Sequence, residues 1–114
     1  MSNPTLRVTT PLQDTLKKLR AYLPEIKDQY QIKEIGVFGS FVRGEETENS
    51  DIDILVEFSP DVEFGLLTFC QLENQLSKKL GRTVDLVTKD GLKPLLGESI
   101  LQEVIYLGFA EKLD

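Results

Sequence analysis

The chain has 114 residues, a formal net charge of −6 and a pI near 4.7, and we expect one domain over residues 1–114 without a second lobe. Such an acidic chain lacks the basic stripe of nucleic-acid-binding proteins, so direct nucleic-acid binding is not expected. No apolar run approaches the roughly 20 residues of a membrane span, and the N-terminus does not resemble a signal peptide. One cysteine and no histidine exclude a disulfide framework and a zinc cluster. These features predict a cytoplasmic protein without membrane contacts.

The first part of the chain predicts a polar tail followed by a helix. Residues 1–10 lack periodicity, and we expect them to be flexible. Apolar residues then recur at helical spacing and are interpreted as core packing. They are Leu12, Leu16, Leu19, Leu23, Ile26 and Tyr30. Pro24 interrupts this stripe and predicts either a kink or two short helices, with Pro24 in the first turn of the second.

The segment Ile35–Phe58 holds the candidate site. A strand at Glu34–Phe38 is followed by Gly39, which allows a tight turn and a close approach of the backbone to a ligand. A short helix from about Ser40 would direct free backbone N–H groups at an anion. The Ser40 hydroxyl and the guanidinium of Arg43 add hydrogen-bonding groups for phosphate oxygens. We therefore predict phosphate binding by Gly39, Ser40 and Arg43.

An acidic, polar loop leads from this cradle into a second strand that opens with Asp51 and Asp53. Residues two apart on a strand project to the same face, so these two carboxylates lie together. Two neighbouring carboxylates repel each other unless a cation lies between them. Mg²⁺ prefers such oxygen ligands and commonly shares them with substrate phosphates. The spacing predicts a metal site beside the phosphate cradle, as phosphoryl or nucleotidyl transfer requires.

The second half of the chain predicts a helix over Leu66–Leu80 that ends at Gly81, with Cys70 as a small buried residue. A third strand follows at Thr83–Thr88, where Asp85 lies opposite Val84 and Leu86. An aspartate between apolar strand residues needs a partner if it is buried, and the residues alone leave its role open. Lys89 and Lys93 could contact a nucleotide, but solvation is the default interpretation.

From Pro94 to Tyr106 the apolar residues again follow a helical pattern, including Leu96 and Ile100. Ile105–Leu107 is an alternative short edge strand. The order of elements predicts an α/β fold, a small mixed β-sheet flanked by helices, in which the carboxylates lie at one end of the sheet and face the cradle.

These residues carry a family resemblance. The spacing Gly39-Ser40-x10-Asp51-x-Asp53 resembles the signature of the DNA polymerase β-like nucleotidyltransferases. The fuller pattern GSFVRG…SDIDILV, in a chain this small, resembles the minimal nucleotidyltransferase (MNT) group, many of whose members are antitoxins paired with HEPN-domain toxins. The resemblance implies that the first two strands are antiparallel and that Asp85 is the third carboxylate.

The resemblance also implies an activity. AMP would pass from ATP to a hydroxyl, on a tyrosine of a HEPN toxin, in a reaction that uses two Mg²⁺ ions. Asp51, Asp53 and Asp85 would be the catalytic and metal-binding residues, and Asp85 would deprotonate or orient the attacking hydroxyl. AMP attachment would silence the toxin's ribonuclease site.

Two alternatives stay open. The first is a nucleotidyltransferase for a small hydroxylated molecule, although such enzymes usually carry an additional helical domain. The second is a non-catalytic antitoxin that neutralises its toxin by occlusion. Because the chain is small, acceptor recognition is expected to come from the partner or from homo- or hetero-oligomerisation.

Overall fold

The computed structural model describes residues 10–61, 65–92 and 94–107, apart from the side chains of residues 94–96. In chain order the elements are α1 (Pro11–Tyr30), β1 (Ile32–Phe38), α2 (Ser40–Arg43), β2 (Ile52–Phe58), α3 (Leu66–Leu80), β3 (Val84–Thr88), a 3₁₀ turn (Lys89–Gly91), α4 (Pro94–Glu103) and β4 (Ile105–Leu107). The predicted flexibility of the N-terminus, for residues 1–9, lies outside the described residues, as do Lys93 and the side chain of Leu96.

The strands form one mixed sheet in the order β3-β2-β1-β4. β1 is antiparallel to both β2 and β4, whereas β2 and β3 are parallel. The predicted mixed sheet with flanking helices is confirmed, as is the antiparallel pairing of the first two strands. At the C-terminal end of the described chain, the helix stops at Glu103 and the edge-strand alternative for Ile105–Leu107 is correct.

Helix α1 begins at a capping box and continues without interruption to Tyr30. The Thr10 side chain accepts a hydrogen bond from the Gln13 backbone, and the Gln13 side chain accepts one from Thr10 N. Pro24 lies inside this single helix, so the expectation of two short helices is wrong. Pro24 is exposed, where water can replace the missing backbone donor, while the neighbouring apolar stripe holds both halves of the helix in the core.

The core lies between one face of the sheet and the helices α1 and α3. On β2 the alternate residues Ile52, Ile54 and Val56 are almost fully buried in it, because successive strand residues point to opposite faces. The buried stripe of α3 consists of Leu72, Leu76 and Leu80.

Cys70 lies off the buried stripe of α3 and is exposed, so its predicted burial is wrong. The described helices include none that is long and apolar enough to span a bilayer.

Candidate active site

The sheet topology brings three strand ends together. β1 ends where β2 begins because the two are antiparallel, and β3 begins beside β2 because those two are parallel. In this register Asp53 is paired with Phe38 on one side and with Asp85 on the other. Asp53 and Asp85 therefore lie on two adjacent strands, next to the turn that follows β1, while Asp51 is exposed and directly precedes β2.

Gly39 occupies this turn for two physical reasons. Its φ of 83° lies in a region that side chains with a Cβ rarely adopt. A Cβ at this position would also overlap Oδ2 of Asp53 and would lie 2.9 Å from its Cγ. The predicted close approach of the backbone is thus an approach to the Asp53 carboxylate.

Ser40 and Arg43 follow Gly39 on the four-residue helix α2. The Gly39 carbonyl accepts hydrogen bonds from Val42 N and Arg43 N at 3.0 and 3.1 Å, so the turn runs directly into the helix. The Ser40 hydroxyl makes no hydrogen bond to any described residue. The predicted short helix is confirmed, and the Ser40 hydroxyl is left available for a ligand.

Negative charge accumulates around Asp53. Partial burial raises the pKa of its carboxyl to about 6, and repulsion from Asp85 and Asp51 contributes to this shift, as does Glu103. Arg43 acts in the opposite direction. Within the described part of the chain, no side chain or backbone group donates a hydrogen bond or forms an ion pair to the Asp53 carboxylate. The site is therefore short of positive charge.

A hard divalent cation suits this site chemically. Carboxylate oxygens are the ligands that Mg²⁺ prefers, and the uncompensated charge of Asp53 calls for a cation. Among the residues that the structure describes, however, no three His, Cys, Asp or Glu side chains are gathered closely enough to hold an ion. Mg²⁺ usually keeps only one or two carboxylates and takes its other ligands from water and phosphates. Metal binding by Asp51, Asp53 and Asp85 stays a prediction.

Asp85 differs from its sequence interpretation in one respect. Its side chain is exposed, so burial is not the reason for it to need a partner. Its position beside Asp53 comes instead from the parallel register of β2 and β3. Asp85 therefore lies beside Asp53 with its own side chain exposed.

A carboxylate that sequence reasoning missed contacts the cradle. Glu103 Oε2 accepts a hydrogen bond from Gly39 N at 2.7 Å. Both of its oxygens also accept from Arg43 Nη1, at 3.0 and 3.1 Å, while Arg43 Nε donates to Glu45 Oε1 at 3.0 Å. Glu103 follows Gly39 by 64 positions, and no local pattern relates the two. The Glu45 contact shows that the acidic loop interacts with the cradle arginine.

Arg82 is a second residue that the sequence did not indicate. Its guanidinium donates from Nη1 to the carbonyls of Thr47, Ser50 and Glu48 at 2.9, 3.0 and 3.3 Å. Ser50 itself closes the loop by accepting a hydrogen bond from Thr47 N. Arg82 thus holds the loop that leads into Asp51.

Lys89 lies at the far end of β3, away from Asp85. It forms ion pairs with Glu34 at 3.5 Å and with Glu57 at 3.6 Å, so its interpretation as a solvated lysine is wrong. These contacts link the 3₁₀ turn to β1 and β2. They do not bring Lys89 to the candidate site.

Comparisons with known proteins agree with this geometry. A family model for the nucleotidyltransferase domain matches residues 17–107. The protein adenylyltransferase MntA of Thermococcus cleftensis is 44% identical over 96 residues, which are 84% of this chain and 95% of that relative. A structure reported as that of a minimal nucleotidyltransferase has 38% identity and a TM-score of 0.70, over 84% of this chain and 95% of the other. A crystal structure of a variant of the toxin–antitoxin MntA–HpeT has 26% identity and a TM-score of 0.58, over 84% and 70%.

Proposed function

The chain belongs to the nucleotidyltransferase domain family, in its minimal form, and we propose that it transfers AMP from ATP to a hydroxyl group of a partner protein. The predicted enzyme class, nucleotidyltransferase, is confirmed by the family match. A protein acceptor is supported by the relative from Thermococcus cleftensis, which is a protein adenylyltransferase. A cytoplasmic location remains part of the proposal.

One observation carries the assignment of the site. Gly39 has no room for a Cβ because the Asp53 carboxylate lies against it, and Asp85 is the register partner of Asp53 on the adjacent strand. The groups that we propose to bind phosphate and the acidic groups therefore share one end of the sheet. Transfer of a nucleotidyl group needs this combination, since it must hold a polyphosphate and place an acceptor oxygen beside it.

In the proposed reaction the residues have separate tasks. Gly39 N–H, the Ser40 hydroxyl and the Arg43 guanidinium hold the β- and γ-phosphates of ATP. Asp51 and Asp53 would hold a Mg²⁺ ion, and Asp85 would help to hold a second. Bound Mg²⁺ would neutralise charge on the phosphates and offset the repulsion among the carboxylates.

Asp85 also orients the acceptor. Its exposed carboxylate accepts a hydrogen bond from the acceptor hydroxyl and takes its proton as the oxygen attacks the α-phosphorus. A bond forms between the acceptor oxygen and the α-phosphorus. The bond from that phosphorus to the bridging oxygen breaks, and pyrophosphate leaves.

For the partner we propose a HEPN-domain toxin that is modified on a tyrosine, so that the chain acts as an antitoxin. The sequence resemblance supports this class of partner. A chain of the toxin–antitoxin MntA–HpeT shares the fold at 26% identity, which is consistent with the same role.

The test is label transfer to a purified candidate partner, such as the product of an adjacent HEPN gene. The partner is incubated with this chain, Mg²⁺ and ATP labelled at either the α- or the γ-phosphate. We expect label on the partner from α-labelled ATP only, because AMP is retained and pyrophosphate is released. The variant with both Asp51→Asn and Asp53→Asn should transfer none, and Asp28→Asn, which changes an exposed carboxylate on α1, should transfer normally.

Other outcomes separate the alternatives. Label from γ-labelled ATP would show phosphorylation and would contradict the proposal. A stable complex that suppresses the partner without any label would indicate an antitoxin that acts by occlusion. Label on a small hydroxylated molecule, with none on the protein, would indicate a small-molecule acceptor.

A further inference from the structure

Resting on the proposed function, we propose that Glu103 occupies the phosphate-binding groups of the free protein and that a nucleoside triphosphate displaces its carboxylate in order to bind. Glu103 is then a determinant of nucleotide affinity that acts by competition. The competing group is part of the chain itself.

The contacts of Glu103 are with the same groups that the proposed function assigns to phosphate. Its carboxylate accepts from Gly39 N at 2.7 Å, and both of its oxygens accept from Arg43 Nη1 at 3.0 and 3.1 Å. One anionic group thus bridges a backbone amide and a guanidinium. A phosphate oxygen on Gly39 N would need the same hydrogen atom, and one on Arg43 Nη1 would need hydrogen atoms that Glu103 already binds, so carboxylate and phosphate compete at these donors.

The sheet register places Glu103 at this point. β4 is antiparallel to β1, with Tyr106 opposite Gly36 and Ile105 opposite Val37. Continuing this pairing by two residues brings Glu103 opposite Gly39. The contact is therefore built into the pairing of the edge strand.

Only the Glu103 side chain has to move for a ligand to enter. Its backbone is fixed, because it ends α4 and the next residue, Val104, donates to the Ile100 carbonyl at 2.9 Å. Val104 also packs so closely on Gly36 that a Cβ there would lie 2.7 Å from Val104 Cγ2. The Glu103 side chain, in contrast, is 24% exposed and has three rotatable bonds. A rotamer change is enough to free the cradle, and it also removes one negative charge from beside Asp53.

The competition predicts a tighter complex when the Glu103 carboxylate is removed. The apparent affinity of a ligand is reduced by the fraction of protein in which its site is blocked. Hydrogen bonds to a charged group correspond to a change of roughly tenfold or more in affinity, and solvent screening at the partly exposed Arg43 reduces this to about fivefold to tenfold. We expect Glu103→Gln to lower the dissociation constant for ATP by about that factor, and Glu103→Ala to lower it at least as much.

The measurement is isothermal titration of the intact chain with ATP and Mg²⁺, and separately with inorganic triphosphate. Glu98→Gln is the matched control, because Glu98 is an exposed carboxylate on the same helix and its loss changes the net charge equally. Glu45→Gln is a second control, since it removes the other carboxylate on Arg43 without a contact to Gly39. The control at position 98 should bind as the wild type does, and the one at position 45 should show a smaller gain than Glu103→Gln.

The amide resonance of Gly39 reports the contact independently of catalysis. In the wild type this resonance should shift when triphosphate is added. In free Glu103→Ala it should already differ from the wild-type position, because the hydrogen bond from Gly39 N to the carboxylate is absent.

Weaker binding by both Glu103 variants would overturn the proposal and make Glu103 a positioning residue for Arg43. Equal binding by wild type and variants would also overturn it. Absence of ATP binding in every variant, including wild type, would instead refute the proposed function and the competition with it.

Discussion

Replacing Asp53 with asparagine should stabilise the free protein while it abolishes nucleotidyl transfer. The folded structure raises the pKa of the Asp53 carboxyl from 3.8 to about 6 through burial and through repulsion from Asp85 and Asp51. Ionised Asp53 therefore opposes folding. Asparagine has nearly the same shape and carries no charge, so the variant escapes this cost.

The magnitude follows from the pKa shift. Fully realised, a shift of this size corresponds to about 3 kcal/mol in the free energy of unfolding. Asp53 is only partly buried, and solvent screening reduces the effect to roughly 1–2 kcal/mol. For a domain of this size the melting temperature would rise by about 5–10 °C.

The pH dependence gives the sign. A raised pKa means that the folded state binds more protons than the unfolded state, so wild-type stability falls as the pH rises from about 4 to about 6. Above that window the full cost is present, and below it the carboxyl is protonated in both states. The advantage of Asp53→Asn should thus be greatest above pH 6 and should vanish near pH 4.

Thermal unfolding followed by circular dichroism, in chelator and at pH values from 4 to 7.5, measures this difference. Asp28→Asn, which changes an exposed aspartate on α1, is the control and should show no such pH dependence. Added Mg²⁺ should raise the melting temperature of wild type more than that of Asp53→Asn. An equal loss of stability at pH 4 and pH 7.5 in Asp53→Asn would refute the electrostatic reasoning.

Three further predictions test the geometry of the site. Gly39→Ala should lose transfer, measured with labelled ATP, because its Cβ overlaps the Asp53 carboxylate. Gly44→Ala is the control, since Gly44 is also at positive φ but has open space around it; it should keep transfer and lose about 1 kcal/mol of unfolding free energy in thermal melts. Arg82→Ala should lower kcat at least severalfold while the fold is retained, because three loop carbonyls lose their hydrogen-bond donor. An unchanged kcat together with an unchanged circular dichroism spectrum would contradict the role of Arg82 in holding the loop before Asp51. Arg43→Lys should raise the KM for ATP, since an ammonium cannot reproduce the planar fork; an unaltered KM in steady-state kinetics would argue against phosphate binding by Arg43.

The local part of the site was accessible from the sequence because its determinants are short-range. Strand alternation predicts that Asp51 and Asp53 share a face, although β2 begins only at Ile52, and a glycine between a strand and a helix marks a close backbone approach. The same logic predicted the helix stop at Gly81, which has a φ of 73°. Each of these features involves residues within a few positions of one another, so neighbouring letters of the sequence are sufficient.

Exposure was less accessible, because it depends on what packs against an element. Cys70 belongs to the apolar residues of α3, yet the side of the helix that meets the core is the one carrying Leu72, Leu76 and Leu80. Asp85 lies between apolar residues and is nevertheless exposed. Hydrophobic spacing defines a stripe, and the neighbouring helix decides how much of that stripe is covered.

The sequence by itself determined the turn, the acidic pair and the spacing that mark a nucleotidyltransferase. Only the tertiary structure decided that Glu103 lies on Gly39 and Arg43, and that Arg82 holds the loop before Asp51. These contacts join residues 32 to 64 positions apart, and they form because β4 adds to the edge of β1 and β3 adds to the edge of β2. Strand order is set by the packing of the whole chain, which no local pattern records.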